Sequence, residues 1–212
     1  MNLRLSFLAL VLAALSPAAT IQSSFGTDHE GWTVTNDGGD TSVVYQGGSI
    51  ARTDQTAAYM HFAAPVAFRG DLTGFASGVL AYDMRQTTAS ADPSWFYRTV
   101  LEGNGLLLLY TQELAPDTAN FRTLLTPLSA DGWIVIATLE DYLGSAVTPL
   151  QFSGVLANVT GLYITGDLIS GQGDFAELDN VILTTTPEPG TFAALAVGLA
   201  GLATARRRAR HV

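Results

Sequence analysis

The sequence contains no cysteine and no lysine among its 212 residues. Without cysteine the chain has no disulfide, no thiol nucleophile and no zinc site built on thiolates. Two active-site motifs are also missing, namely the HExxH helix of zinc proteases and the GxSxG elbow of α/β hydrolases. Several common routes to catalysis are therefore excluded, and stability has to come from a packed core.

The first segment has the three parts of a secretory signal peptide. Arg4 gives the positive start, residues 5–15 are apolar apart from one serine, and small residues follow at 17–19. We therefore predict that residues 1–19 are a signal helix that directs export of the rest of the chain. A short buried helix is the alternative interpretation.

The last 26 residues also have three parts. A Pro-Glu-Pro triplet opens this tail and an arginine cluster closes it, formed by Pro187, Glu188 and Pro189 and by Arg206, Arg207, Arg208 and Arg210. The uncharged run between them, residues 191–205, rises about 22 Å as a helix, short of the roughly 30 Å hydrocarbon layer. The arginines keep the C-terminus in the cytoplasm, so the body of the protein is expected outside the inner membrane.

This order of triplet, apolar span and arginines resembles the PEP-CTERM sorting signal of Gram-negative bacteria, here over residues 185–212. The resemblance implies recognition by an exosortase, removal of the tail, and release or attachment at the surface of bacteria that make exopolysaccharide. The precursor is then anchored in the inner membrane by a transmembrane helix, and the mature form is at the cell surface or secreted. A plain single-span anchor is the alternative.

The body of the chain is acidic. Between Ile21 and Thr186 five arginines stand against eighteen carboxylates, a formal charge of −13. Nucleic-acid binding needs a basic face that neutralises phosphates, so we expect no nucleic-acid partner. An acidic exported domain is suited to solubility or to cation binding, and solubility is the simpler explanation.

Short β-rich runs alternate with turn residues along the body. They are GWTVT, TSVVYQ, AAYMHF, VLAYDMR, WFYRTVLEG, GLLLLYTQ, FRTLLTPL, GWIVIAT, GLYITGD and FAELDNVILTTT. This spacing predicts an all-β sandwich or barrel. The segment PLQFSGVLANV instead predicts a short helix, in which Leu150, Phe152 and Val155–Leu156 cover one end of the core.

Two longer patterns are more specific than any single run. FxAPxxFxGDLT occupies residues 62–73, and LxxVxxLYIxGD followed by AELDNVxL closes the body. Their order resembles the laminin B, or laminin IV type A, domain between Ser23 and Leu183. The resemblance implies a jelly-roll β-sandwich over residues 21–184, like that of galactose-binding and carbohydrate-binding domains. The EGF-like repeats that flank the animal domain are absent, so a laminin-style network role is not implied.

Calcium is the metal that an acidic, loop-rich domain favours, because it prefers several carboxylate and carbonyl oxygens. Asp37 and Asp40 lie in the glycine-rich stretch TNDGGDT, although an ordinary tight turn needs the same residues. The jelly-roll resemblance implies another place, a structural Ca²⁺ between an early loop and the last strand. Its ligands here would be Asp54 and Asp179, with Asp28 as a third.

No residue is assigned a catalytic role, and we predict that the protein is not an enzyme. A glycosidase needs two carboxylates facing each other across a cleft, and eighteen carboxylates leave such a pair undetermined. His61 lies in an alternating strand, which favours a half-buried structural histidine. His29 lies in a polar turn, and His211 belongs to the tail.

Aromatic side chains supply the candidate ligand-binding residue, because they can stack on the apolar faces of sugars. Trp32 and Trp133 each follow a glycine at the start of a strand, which favours core packing. Trp95 follows a proline in ADPSWFYR and is the candidate for a loop surface, with core packing as its alternative.

The predicted function is non-catalytic adhesion or association with extracellular polysaccharide, through loops at one end of the sandwich or its concave face. A dedicated carbohydrate-binding module is the alternative, and a polysaccharide hydrolase is a third.

Overall fold

The computed structural model describes residues 19–86, 97–112, 119–167, 173 and 175–185. Residues Thr20–Thr185 form one compact unit. A second unit combines Met1–Ala19 with Thr186–Val212, and apart from Ala19 it lies outside the described residues, as do the predicted signal helix, transmembrane helix and sorting motif. Within the described ranges, no helix has the length and hydropathy needed to span a membrane.

The described residues form thirteen strands, one α-helix and two short 3-10 helices. The strands are β1 (Thr20–Ser23), β2 (Thr33–Thr35), β3 (Val44–Tyr45), β4 (Ile50–Thr53), β5 (His61–Ala63), β6 (Val79–Gln86), β7 (Tyr97–Gly103), β8 (Leu106–Gln112), β9 (Arg122–Pro127), β10 (Trp133–Ile136), β11 (Ser145–Ala146), β12 (Val159–Thr165) and β13 (Phe175–Thr184). The helix α1 spans Pro149–Leu156, and the 3-10 helices span Val66–Phe68 and Thr73–Phe75.

Two antiparallel sheets make up the body. The six-stranded sheet has the order β3-β4-β13-β6-β9, with β1 also paired to β13, and the seven-stranded sheet has the order β11-β10-β8-β7-β12-β5-β2. The long strand β13 pairs with two strands along the same edge. Its residues Phe175–Leu178 pair with β4, and Val181–Thr184 pair with β1. The prediction of an all-β sandwich is confirmed.

Alternation along the strands places the core between the sheets. In β6 the side chains of Leu80, Tyr82, Met84 and Gln86 are buried, and the intervening residues are partly exposed. Successive strand residues point to opposite faces, so this pattern gives each sheet one apolar inner face. Trp32 and Trp133 both lie in the shared core, as their positions predict. Complete burial of a large apolar side chain contributes about 1.5–3 kcal/mol.

The helix α1 closes one end of the core, and its start is specified locally. Thr148 forms a capping box with Gln151, and a proline occupies the first turn. Phe152 and Leu156 are buried, whereas Leu150 is 82% exposed. The prediction that Leu150 covers the core is therefore wrong. Two residues along a helix correspond to about 200° of rotation, which places Leu150 opposite Phe152.

Candidate functional site

The outer face of the seven-stranded sheet carries a second apolar cluster. Its buried members are Val100, Leu109 and Ile136, and the partly buried residues packed against them are Leu107, Ile134, Leu139 and Tyr163. Alternate residues of β7, β8, β10 and β12 point away from the core and supply all but one of these side chains. The exception, Leu139, belongs to a segment that crosses the face.

This segment, residues 137–143, connects β10 to β11 and is called the strap below. It begins with a tight turn, because the Asp141 carboxylate accepts hydrogen bonds from the backbone N–H groups of Ala137 (3.0 Å) and Thr138 (2.7 Å). Leu139 follows and packs on the second cluster. The side chain of Leu139 thus holds the strap against the sheet by an apolar contact.

The middle of the strap, at Glu140, contacts residues from the opposite edge of the sheet. Glu140 Oε2 accepts a hydrogen bond from the backbone N–H of Tyr59 at 3.2 Å, and Asn36 Nδ2 donates to Glu140 Oε1. Tyr59 precedes β5 and Asn36 follows β2, whereas the strap leaves from β10 near the other edge. The strap therefore passes over β8, β7 and β12.

Where the strap crosses β7, it places an exposed aromatic ring beside a buried cation. The guanidinium carbon of Arg98 lies 4.7 Å from the ring centroid of Tyr59 and 5.9 Å from that of Tyr142. Both distances are within the range of a cation–π interaction. Arg98 is 5% exposed, while the strap residue Tyr142 is 59% exposed. These three side chains are called the Tyr142 stack below.

The pKa of the Tyr59 hydroxyl is raised, chiefly by burial, although the hydrogen bond with Arg98 acts in the opposite direction. Tyr59 therefore stays a neutral phenol at ordinary pH and can present its hydroxyl as donor or acceptor.

His61 lies below the strap and is fully buried, which is a deeper position than the half-buried one predicted. Its Nδ1 lies 3.1 Å from the Thr165 hydroxyl, and its Nε2 has no hydrogen-bond partner of good geometry. Burial and the nearby Arg98 charge lower the pKa of His61 to about 4, against an opposing contribution from the backbone of Leu139. The ring is therefore neutral at physiological pH.

The same face presents polar groups next to its apolar cluster. The Tyr163 hydroxyl donates to Glu102 Oε2 at 2.7 Å. Burial, followed by this carboxylate, raises the pKa of Tyr163 to about 12. A hydroxyl, a carboxylate and apolar side chains side by side suit a ligand with both hydroxyl groups and C–H faces.

The structure does not bring the three predicted calcium ligands together. Thr53 pairs with Phe175 in an antiparallel register, so the next residue, Asp54, lies level with position 174. Asp179 is five residues further along, a distance of roughly 16 Å in a strand. Asp54 is buried and accepts a hydrogen bond from Thr56 N, and Asp28 is exposed and accepts one from Glu30 N. Among the described residues, no group of three or more histidine, aspartate or glutamate side chains could hold a metal ion.

Asp179 lies opposite Asp83 on the outer face of the six-stranded sheet. Burial raises the pKa of Asp179, and the Asp83 carboxylate adds to this effect, while the backbone N–H of Asn180 opposes it. A like charge directly across the strand pair disfavours ionisation of Asp179, in agreement with the direction of its pKa shift.

The glycine-rich turn around Asp37 and Asp40 is held by an arginine. Arg52 Nη2 lies 2.6 Å from Asp37 Oδ2, and Arg52 Nη1 lies 2.8 Å from Asp40 Oδ2. A backbone hydrogen bond from Ser42, followed by the bond from Arg52, lowers the pKa of Asp40 to about 2. Both carboxylates thus have a structural role in shaping this turn.

Trp95 lies outside the described residues, as do Pro187, Glu188, Pro189, Arg206, Arg207 and Arg208. Sequence reasoning missed Tyr142, Tyr59 and Arg98 as a group. A signal for Tyr142 exists in the stretch LEDYLGS, where an aromatic residue stands between acidic residues and a glycine in a loop. The stack itself has no sequence signal, because its members are up to 83 positions apart.

The described residues form a sandwich of two antiparallel sheets with one capped helix, and solved structures have a similar fold. The L4b domain of human laminin alpha-2 matches with a TM-score of 0.63 and 10% identity, covering 79% of this chain and 97% of that one. An agarase matches with a TM-score of 0.54 and 11% identity, over 81% of this chain but only 25% of the agarase. A family 11 carbohydrate-binding module from Clostridium thermocellum matches with a TM-score of 0.44 and 14% identity, covering 81% of this chain and 91% of the module.

At these identities the likeness to the laminin domain and to the agarase establishes the fold alone. The family model of Laminin B (Domain IV) matches residues 61–197, well over half of the chain. The chain belongs to this family, which confirms the resemblance carried by residues 62–73 and by the closing strands. No curated protein is significantly similar to the chain in sequence.

Proposed function

We propose that this is an exported, exosortase-sorted protein of the cell surface or extracellular matrix, which associates with polysaccharide without catalysis. The signal segment 1–19 and the tail 185–212 support export and sorting. Membership of a family named for a domain of laminin fits a location outside the cell. The binding role rests on the outer face of the seven-stranded sheet.

The observation that carries the binding role is the Tyr142 stack. An aromatic ring that is 59% exposed offers a flat apolar surface on which the C–H face of a sugar can pack. Arg98 contacts this ring, and the hydrogen bonds of Glu140 hold the strap two residues before it, so the position of the ring is restricted. A ring held in place loses less conformational freedom on binding than a free one, which favours affinity.

The test is affinity electrophoresis of the full chain, purified in detergent, against a panel of polysaccharides. We expect Tyr142→Ala to weaken retention at least tenfold, because the stacking surface is lost. Tyr45→Ala is the matched control, since Tyr45 is also partly exposed but lies in β3 of the other sheet. Equal retention of the Tyr142→Ala variant and the unmodified protein would refute the proposed site. A glycan array then separates a general matrix role from a module with one defined sugar ligand.

Sorting has its own test. Replacing Pro187, Glu188 and Pro189 by alanine in the host is expected to leave a full-length precursor in the inner membrane. The unmodified protein should lose its tail, and mass spectrometry of both fractions measures the difference. Normal trimming of the triple variant would count against exosortase recognition.

A structural calcium ion also stays a proposal, with Asp179 as its most informative ligand and without Asp54, which lies roughly 16 Å away. Calorimetric titration of the protein with Ca²⁺ should release heat, and Asp179→Ala should reduce it. An absence of both heat and thermal shift in the unmodified protein would remove this proposal.

A further inference from the structure

The opposite outer face, that of the six-stranded sheet, carries a second exposed aromatic ring over an arginine. Phe121 is 39% exposed, and the Arg85 guanidinium carbon lies 5.0 Å from its ring centroid. Arg85 Nε donates to Glu177 Oε2 at 2.7 Å, and Ser49 Oγ lies 3.3 Å from the other carboxylate oxygen. The Glu177 carboxylate on the neighbouring strand β13 therefore holds the arginine in place. The Phe121 ring packs against this restrained guanidinium group.

Further polar groups lie on the same face, at neighbouring positions of β6, β9 and β13. A β-bulge in β13 places Asn180 at a φ of 48°, and its side-chain amide donates to Asp83 Oδ2 at 3.0 Å and to Asp179 Oδ2 at 3.1 Å. Thr123, which is exposed and lies two residues after Phe121, donates to Asp83 Oδ1 at 2.5 Å. The patch thus combines a ring with hydroxyl, amide and carboxylate groups.

We propose that this Phe121 patch is a second glycan-binding site, so that one molecule can cross-link two polysaccharide chains. The inference rests on the proposed function of the Tyr142 stack. The two rings belong to the outer faces of two sheets that pack about 10 Å apart. A polymer lying along one face cannot reach the other without passing round the edge of the sandwich.

The charges of both patches indicate the ligand class. Asp83 and Asp179 lie at the Phe121 patch, Glu140 and Asp141 lie on the strap, and the body has a formal charge of −13. Polyanionic chains would be repelled by this field, while hydroxyl-rich neutral polysaccharides would not. The ligand is therefore a neutral polysaccharide.

The experiment uses the full chain in detergent with a neutral glucan and with a polyuronate of similar length. Two quantities are measured: the number of short neutral oligosaccharides bound per protein, by calorimetry, and the viscosity of a solution of the long glucan with added protein. The unmodified protein should bind two oligosaccharides and raise the viscosity. It should bind the polyuronate at least tenfold more weakly.

Phe121→Ala and Tyr142→Ala should each reduce the stoichiometry to one and abolish most of the viscosity increase. Combining the two changes should abolish binding. Thr123→Arg is a second variant for the Phe121 patch, in which a bulky side chain obstructs the ring without removing it. Tyr45→Ala is the control, and thermal melting checks that each variant is folded.

The outcomes distinguish failure of the second site, at Phe121, from failure of the first site, at Tyr142. If Phe121→Ala and Thr123→Arg leave stoichiometry and viscosity unchanged, the second site is refuted while the Tyr142 stack stands. If Tyr142→Ala alone abolishes all binding, the second site is likewise refuted, because no binding remains for Phe121 to provide. Failure of the unmodified protein to bind any neutral glycan overturns both, and equal binding of the polyuronate overturns the neutral ligand class.

Discussion

Single residues show how an acidic domain tolerates buried charge. Arg52 is 8% exposed, and its Nε donates to Asp37 Oδ2 at 2.6 Å, while the Asp37 side chain is fully buried. Asp37 Oδ1 also accepts the backbone N–H of Gln55 at 2.6 Å. Breaking a buried pair by removing one partner leaves the other charge without compensation, which is far more costly than losing an exposed pair.

We therefore predict that Asp37→Ala lowers the free energy of unfolding by about 3–5 kcal/mol. The midpoint of thermal unfolding should fall by about 10 °C, which calorimetry measures. Asp40→Ala removes the exposed partner of the same arginine and should cause a much smaller loss. Equal losses of unfolding free energy in the two variants would contradict the prediction that the buried Arg52–Asp37 pair contributes more than the exposed Arg52–Asp40 pair.

At the scale of elements, sequence patterns predicted all the long strands and four of the seven described strands that have four residues or fewer. The eight-residue alternation of β6 and the run of β8 are visible in the sequence, and both strands form there. β1, β4 and β11 were not anticipated, because two to four residues carry too little periodicity. Their pairing depends on a neighbour, as with β4, whose register is set by β13.

The helix α1 is the element whose stability is most clearly encoded locally. The Thr148 hydroxyl accepts the Gln151 N–H at 3.3 Å, and Gln151 Oε1 accepts the Thr148 N–H at 3.0 Å. Thr148→Ala removes half of this capping box and should cost about 1 kcal/mol, measured by urea unfolding. The control is Leu150→Ser in the same helix, which should cost little because Leu150 is 82% exposed. A larger loss for Leu150→Ser would mean that this side chain packs against something in solution.

At the scale of the whole molecule, His61 makes stability depend on pH. Its pKa falls from 6.5 to about 4 on folding, so the folded state binds fewer protons than the unfolded one between these values. The stabilisation is fully present above pH 6.5 and is lost as the pH falls towards 4. Between these two pH values the free energy of unfolding falls by about 3 kcal/mol because of His61.

We predict that the free energy of unfolding falls steeply between pH 6.5 and 4 in the unmodified protein and less steeply in His61→Gln. Urea unfolding at several pH values measures both slopes. Asp179, with its raised pKa, acts in the opposite direction but is present in both proteins, so the difference isolates His61. Parallel slopes would contradict a neutral buried histidine.

The sequence by itself determined the sandwich class, the buried positions of Trp32 and Trp133 and the family, because these follow from local alternation and from ordered motifs. Only the tertiary structure decided which exposed rings lie beside arginines on the outer faces of the sheets. Tyr59, Arg98 and Tyr142 meet because strand order and the path of the strap bring them to one face. Phe121 and Arg85 meet because β9 pairs with β6. Contacts of this kind depend on which strands become neighbours, and alternation along a single strand carries no information about its neighbours.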